Sequence, residues 1–362
     1  MSIIVTTFAP GRVEILGNHT DYNLGFVLSA AIHLGVTVEA SRLSESVLKI
    51  SSRTNHRSIS IELNNLRPLA EDAWASYPIG VINVLLNAGF RLGGIRMNIS
   101  SDLPLGAGLS SSAALEVATA MAAQELFELE IKKMRLAQLC QKAENEFVGV
   151  QSGLLDQASS VFGKDHRLIL LDFLKITVET VSLPANVSLL LLNSGVPHEL
   201  TGGEYNERRS QCMLAAQAMG IASLRDASLA LVERSPLEDV TRRRALHVVG
   251  ENDRVLRGVQ ALQANQLEEF GKLMFASHES SRINFENSTS HLDTLVALAG
   301  ETPGVFGSRL TGGGFGGSTV SLIETARADE IIQTISSAYH RITGATCSPI
   351  LTEPSEGARI LA

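Results

Sequence analysis

Residues 103–114, L-P-L-G-A-G-L-S-S-S-A-A, constrain this chain more than any other segment, because glycines at 106 and 108 run straight into a stretch that reads as a helix. From 110 to 129 the sequence S-S-S-A-A-L-E-V-A-T-A-M-A-A-Q-E-L-F-E-L is rich in Ala, Leu and Glu and begins with small polar residues, the composition of a helix with a defined start. A glycine loop that ends at a helix N-terminus collects unpaired backbone N–H groups and about half a positive charge at one point, which suits a phosphate. The segment lacks both the G-K-[ST] of a P-loop and a G-x-G-x-x-G after a strand, so neither a P-loop ATPase nor a dinucleotide binder follows from it. An ordinary loop closed by a Ser N-cap is the competing reading.

The chain has 362 residues, 44% of them hydrophobic and 19% charged, which is enough apolar surface for two domains or one large one. Its 30 Lys and Arg against 38 Asp and Glu leave a net charge of -8. That balance argues against a nucleic-acid binder while leaving room for a local anion site. The N-terminus has no basic segment or cleavage site, and runs such as 187–192 are too short to span a membrane. Cys140, Cys212 and Cys347 form neither a disulfide framework nor a C-x-x-C pair, so a cytoplasmic protein is expected.

Strands are predicted over 2–8, 35–40, 47–51, 59–63, 95–100, 167–173 and 187–193, with helices over 74–91, 110–129 and 131–148. The second half turns helical at 204–219, 238–263 and 267–282, then gives strands at 306–310, 317–323 and 346–351 around a helix at 327–343. This pattern is α+β. A division near 190 is expected, with domains at 1–190 and 191–362 and a ligand cleft where they meet.

Two further segments carry chemistry. The run T-G-G-G-F-G-G-S at 311–318 has five glycines between apolar stretches, a composition that is entropically costly unless something approaches the backbone closely. A flexible hairpin tip is the alternative. Polar residues crowd glycines in A-P-G-R-V-E-I-L-G-N-H-T-D-Y-N-L-G at 9–25 and A-E-N-E-F-V-G-V-Q-S-G-L-L-D-Q at 143–157. Arg12, Asn18, His19 and Asp21 suit the hydroxyls of a polyol, and Asp156 could be a buried carboxylate. Singly, each has a structural reading: Asp156 as a helix N-cap, Arg12 as a surface ion pair, His19 as a satisfied turn histidine.

Together the segments resemble a known family. The first is similar to the galactokinase signature; 103–114 and L-T-G-G-G-F-G-G are similar to the second and third motifs of the GHMP (galactokinase, homoserine kinase, mevalonate kinase and phosphomevalonate kinase) superfamily. W-A-S-Y-P-I-G-V at 74–81, the segment 143–157 and N-S-G-V-P-H-E-L-T-G-G-E-Y-N-E-R-R at 193–209 extend the resemblance over essentially the whole chain.

The resemblance implies a two-domain GHMP kinase fold, with an N-terminal domain like ribosomal protein S5 domain 2, a C-terminal ferredoxin-like domain and the active site in the cleft. It implies ATP-dependent phosphorylation of the C1 hydroxyl of galactose, giving galactose 1-phosphate and ADP; a monomer is expected, and the charge balance and short apolar runs argue against nucleic acid or a membrane as partner. Carried over, Asp156 is the base and Arg12 its charged neighbour. Asn18, His19, Asp21, Gly153 and Tyr205 contact the sugar. Gly106, Ala107, Gly108, Leu109, Ser110, Ser111 and Ser112 hold the phosphates of ATP, and Trp74, with Tyr77 and Gly80, lies where adenine binds. Ser112 and Glu144 hold Mg2+. Phosphoryl transfer is mainly positioning and charge stabilisation, so a glycine loop, a magnesium ion and one Arg can supply most of the effect, and an Asp beside an Arg stays ionised and can accept a hydroxyl proton late in the reaction.

The chain departs from the family at Glu14 (Asn there), Asn18 (Glu there), Ser29 (Pro there) and Ser152 (often Cys there). In the resemblance only position 18 touches the sugar, near its C6 hydroxyl. Two alternatives stay open: a kinase for a galactose-like sugar altered at C6, such as galacturonate, which the amide at Asn18 suggests, or a non-catalytic sugar sensor that keeps the fold.

Overall fold

The β-branched stretches near the N-terminus form longer strands than their apolar runs suggest. In the computed structural model, which describes residues 3–104, 106–195 and 203–361, the chain opens with β1 (Ile4–Leu16), β2 (Phe26–Leu43), β3 (Val47–Ser52), β4 (Arg57–Glu62), α1 (Ala73–Asn87) and β5 (Gly94–Ser101). Helices α2 (Ser111–Leu126), α3 (Lys133–Lys142) and α4 (Leu155–Phe162) follow, then β6 (Arg167–Asp172), β7 (Thr177–Ser182) and β8 (Val187–Asn193). The second half runs α5 (Gly203–Ala218), α6 (Leu229–Arg234), α7 (Asp239–Gln263), α8 (Leu267–Ser280), α9 (Ser290–Glu301), β9 (Val305–Leu310), β10 (Ser318–Glu324), α10 (Ala328–Thr343), β11 (Ser348–Thr352) and β12 (Arg359–Leu361).

Two sheets result. The larger has the order β12-β1-β2-β5-β3-β4, and β6 with β7 joins the free stretch of β2. Strand β2 is long enough to pair β6 through Phe26–Ser29 and β5 through Val36–Leu43, so one strand carries two branches of the sheet. The smaller sheet, β11-β8-β10-β9, is wholly antiparallel. Helix α2 lies against β1 and β2 with its alanines buried on nearly every side; without long side chains it packs close to the sheet. Helix α10 is amphipathic, burying Ile331, Ile335, Ala338 and Tyr339 along one stripe toward the second core.

The expected division at 190 falls inside β8, whose partners are all in the smaller sheet, while the last strand, β12, returns to pair β1 in the larger. Strand β8 is buried on both faces, so its apolar run carries no sign of which sheet it joins. The helix expected over 131–148 ends at Lys142 and continues as a π-turn, Ala143–Val148. A second π-turn, Ser281–Phe285, follows α8. Both lie beside the cleft, as π-bulges often do at functional sites.

Helix α8 crosses β9 at backbone contact: a Cβ on Gly271 would sit 1.8 Å from the Phe306 carbonyl oxygen. Gly271→Ala is therefore expected to destabilise the protein by about 2–3 kcal/mol, read as a lowered Tm; an unchanged Tm would refute this packing.

Candidate active site

The three glycine-rich segments converge on one cavity of about 380 Å3. Its wall includes Arg12, Glu14, Asn18, His19 and Asp21 from β1 and the turn after it, residues 106–112, Glu144, Gly153, Asp156, Tyr205, Gly312 and Gly313. Every site residue predicted from the sequence lies on this wall except Trp74 and Gly80. That indole packs against the edge of the N-terminal core, its Nε1 donating to Asp72 Oδ1 at 3.4 Å, while Tyr77, one turn on, reaches the cavity. Gly80 faces Phe147 and serves the packing of α1 on the π-turn. Of the segment 193–209, residues 196–202 lie outside the described residues.

Arg12 ties the pieces together. Its Nε donates to Asp156 Oδ1 at 2.7 Å, its Nη1 to the Gly108 carbonyl at 2.8 Å, and its backbone N to the Leu109 carbonyl at 3.1 Å. Burial disfavours the guanidinium charge, but Asp156 overrides this and holds Arg12 above its ordinary pKa. Asp156 sits in the first turn of α4, and its other oxygen accepts from Ser110 Oγ at 2.6 Å. It caps no helix. Ser110 does not cap α2 either, because its backbone is left-handed, φ 58°, and its hydroxyl is spent on Asp156. The first N–H groups of α2 thus face the cavity without a side-chain cap.

Ser112 Oγ donates to Glu144 Oε1 at 3.2 Å. The other carboxylate oxygen accepts from Gln157 Nε2 at 2.9 Å and from Ser152 Oγ. Burial raises the pKa of Glu144, with these hydrogen bonds opposing it. One hydroxyl and one carboxylate beside a phosphate-type loop are a hard-oxygen set that fits Mg2+, which binds few protein ligands and takes the rest from phosphate and water.

His19 and Asn18 have their hydrogen-bonding atoms engaged within the protein. His19 Nε2 contacts the Gly313 carbonyl at 3.1 Å and Nδ1 the Tyr22 hydroxyl at 2.8 Å. A carbonyl only accepts, so Nε2 carries the proton, Nδ1 accepts from Tyr22, and both ring nitrogens are occupied. Burial lowers the His19 pKa to about 3, so the ring is neutral; it stacks on Phe285 with centroids 4.4 Å apart. Asn18 Nδ2 donates to Glu14 Oε1 at 3.0 Å and to the Gly312 carbonyl at 2.8 Å, and Oδ1 accepts from Asn287 Nδ2 at 2.9 Å. Both amide hydrogens are thus taken by the protein. The sequence reading missed Asn287 and Arg309, which stand alone in otherwise ordinary segments, and it noted Glu14 only as a departure.

The third glycine segment is held rather than flexible. Thr311 N donates to Ser318 O at 3.0 Å, Ser318 Oγ to Ala107 O at 2.7 Å, and Phe315 N to Asn287 O at 2.6 Å. Its backbone closes on the first two motifs, which is the close approach its glycines imply.

The comparisons agree with this geometry. The galactokinase galactose-binding signature matches residues 2–42, the GHMP kinases N terminal domain 76–164, and the GHMP kinases C terminal domain 259–341. A galactokinase of Roseiflexus is 40% identical over 96% of this chain and 91% of its own length. The chain belongs to the galactokinase family. A Haemophilus influenzae galactokinase is 38% identical over 99% of this chain and 95% of its own. The crystal structure of Lactococcus lactis galactokinase complexed with galactose superposes with a TM-score of 0.96 at 31% identity, covering 99% of this chain and 95% of that one. Methanococcus jannaschii mevalonate kinase, 19% identical with a TM-score of 0.69, shares the fold. The two-domain GHMP kinase architecture is thereby established. Among the described residues no helix is long and apolar enough to cross a membrane.

Asp21 lines the cavity with its carboxylate against Gly153, where a Cβ would clash with Oδ2 at 1.7 Å. Burial, reinforced by Asp156 and Glu14, pushes its pKa up to about 7. Between the ordinary carboxylate pKa of 3.8 and about 7 the folded chain holds a proton that the unfolded chain has lost, so this group's contribution to stability falls as pH rises through that window. Relative to Asp21→Asn, the ligand-free wild type should lose Tm between pH 4.5 and 7; parallel Tm curves would show that Asp21 does not titrate there.

Proposed function

We infer that this family member transfers the γ-phosphoryl group of ATP to the C1 hydroxyl of galactose, giving galactose 1-phosphate and ADP. One observation carries the reading: Asp156, bound by Arg12 and Ser110, stands between a phosphate-type loop and a pocket of hydroxyl-binding groups. Backbone N–H groups of 106–112 hold the β- and γ-phosphates at the N-terminus of α2. Asp21, Gly153 and Tyr205 shape the sugar pocket, with His19 as a neutral wall. The C1 oxygen attacks the γ-phosphorus, its proton passes to Asp156, and the bond to the β-phosphate oxygen breaks. Arg12 offsets the negative charge that gathers at this point, in a site where burial strengthens the attraction. Tyr77 in place of Trp74 borders the nucleotide.

Ser112 and Glu144 would hold magnesium, which when bound neutralises charge on the β- and γ-phosphates. The enzyme is taken to act as a monomer. The three cysteines are free and buried, consistent with work in the cytoplasm. The presence of Arg12, Ser112, Glu144 and Asp156 together favours a working enzyme over a sugar sensor.

Asp156→Asn should fold and bind galactose while losing about 10²- to 10⁴-fold in kcat; retention of more than half the turnover would exclude Asp156 as the base. Ser112→Ala and Glu144→Gln should raise the magnesium concentration needed for half-maximal rate and lower kcat more than they weaken ATP binding. An unchanged magnesium dependence in both variants would rule out this pair as ligands.

A further inference from the structure

Glu14 and Asn18, a carboxylate and an amide four residues apart on the cavity wall, are in direct contact. The amide at position 18 has both hydrogens and its oxygen engaged within the protein, so it has no N–H to offer a sugar. Glu14 is different. Arg309 Nη1 donates to its Oε1 at 2.7 Å, and Asn18 Nδ2 donates to the same oxygen. Among the described residues no group donates to Oε2, and Glu14 is on the cavity wall.

Position also favours Glu14. Arg12 and Glu14 lie two residues apart on a regular stretch of β1 between two register shifts, so their side chains share one face about 7 Å apart. Arg12 marks the end of the pocket where Asp156 meets the reacting hydroxyl. Glu14 lies farther along that face, at the distance of a hexose ring with its hydroxymethyl arm.

Resting on the galactokinase reading, we propose that Glu14 determines sugar specificity: its Oε2 accepts the hydrogen bond of the C6 hydroxyl, Arg309 and Asn18 fix the carboxylate in place, and Asn18 makes no sugar contact. A C6 carboxylate would meet Glu14 charge to charge, so the pocket selects against galacturonate.

The test needs no variant in its first arm. With wild type, KM should rise about tenfold or more from galactose to 6-deoxygalactose and further for galacturonate, and 6-amino-6-deoxygalactose, whose ammonium can donate to a carboxylate, should bind at least as well as galactose. Galacturonate handled as well as galactose would overturn the proposal. In the second arm, Glu14→Gln should narrow the galactose to 6-deoxygalactose ratio, mainly through KM rather than kcat. That variant removes the ion-pair partner of the buried Arg309, so the charge-conserving double exchange Glu14→Asn with Asn18→Glu accompanies it and should restore the ratio. A folded Glu14→Gln protein with the wild-type ratio, or a folded double exchange that fails to discriminate, would also overturn the proposal. Failure of the underlying reading looks different: wild type would then release no ADP with any of these sugars.

Discussion

The site depends on one buried guanidinium. Arg12 joins a carbonyl of the phosphate-type loop to the carboxylate of Asp156, so the loop and that carboxylate are held in one relation by bonds from one side chain. The geometry requires a planar group whose Nε and Nη1 point in different directions, which a lysine ammonium on a flexible stem does not reproduce. The backbone N–H of Arg12 also donates to Leu109 O, so the side chain cannot shift without the strand. Strain at Ser110, held left-handed so that its hydroxyl reaches Asp156, is tolerated because this frame surrounds it.

A second set of buried polar groups fastens the turn after β1 to the other half of the molecule. Glu251, on α7, accepts from the backbone N–H groups of Gly17 and Asn18 at 2.9 Å each and from Ser277 Oγ at 2.9 Å, while Arg254 Nε donates to it at 2.5 Å. Burial alone would raise Glu251, but Arg254, with His247 and Arg309 beyond it, overrides burial and holds it well below the usual carboxylate range. His247, neutral because burial lowers its pKa to about 3, donates Nε2–H to the Asn18 carbonyl at 3.1 Å. Buried pairs of this kind add little net stability, since desolvation cancels much of the attraction, but breaking one is costly. Their effect here is to leave the turn at 17–19 a single geometry, which a pocket that discriminates between hydroxyl positions needs.

The glycine loop before α2, the glycine run at 311–318 and the polar cluster after Arg12 were legible in the chain because each breaks a local rule: too much glycine beside apolar runs, or too many polar groups in an apolar strand. Such conflicts mark functional sites. The long, strongly patterned helices and strands were legible for the opposite reason, since their periodicity and composition agree. Short elements were not. Helix α4, which carries Asp156, is eight residues long with a polar middle, L-D-Q-A-S-S-V-F, too short for a period to register. Strand β7 has a mixed, largely exposed pattern.

The sequence by itself determined the α+β class, the phosphate-type loop, the acidic and basic residues of the site and the family to which the chain belongs, because these rest on residue types at fixed spacing. Only the tertiary structure decided which of those residues remain free to act. Asn18 and His19 read as sugar ligands in the chain, yet their hydrogen-bonding atoms are consumed by Glu14, Gly312, Gly313, Tyr22 and Asn287. Glu14 read as a bystander and holds an oxygen to which no described residue donates. A side chain has a small, fixed number of donors and acceptors, and partners 294 residues away in sequence, as Gly312 is from Asn18, decide which of them remain for a ligand.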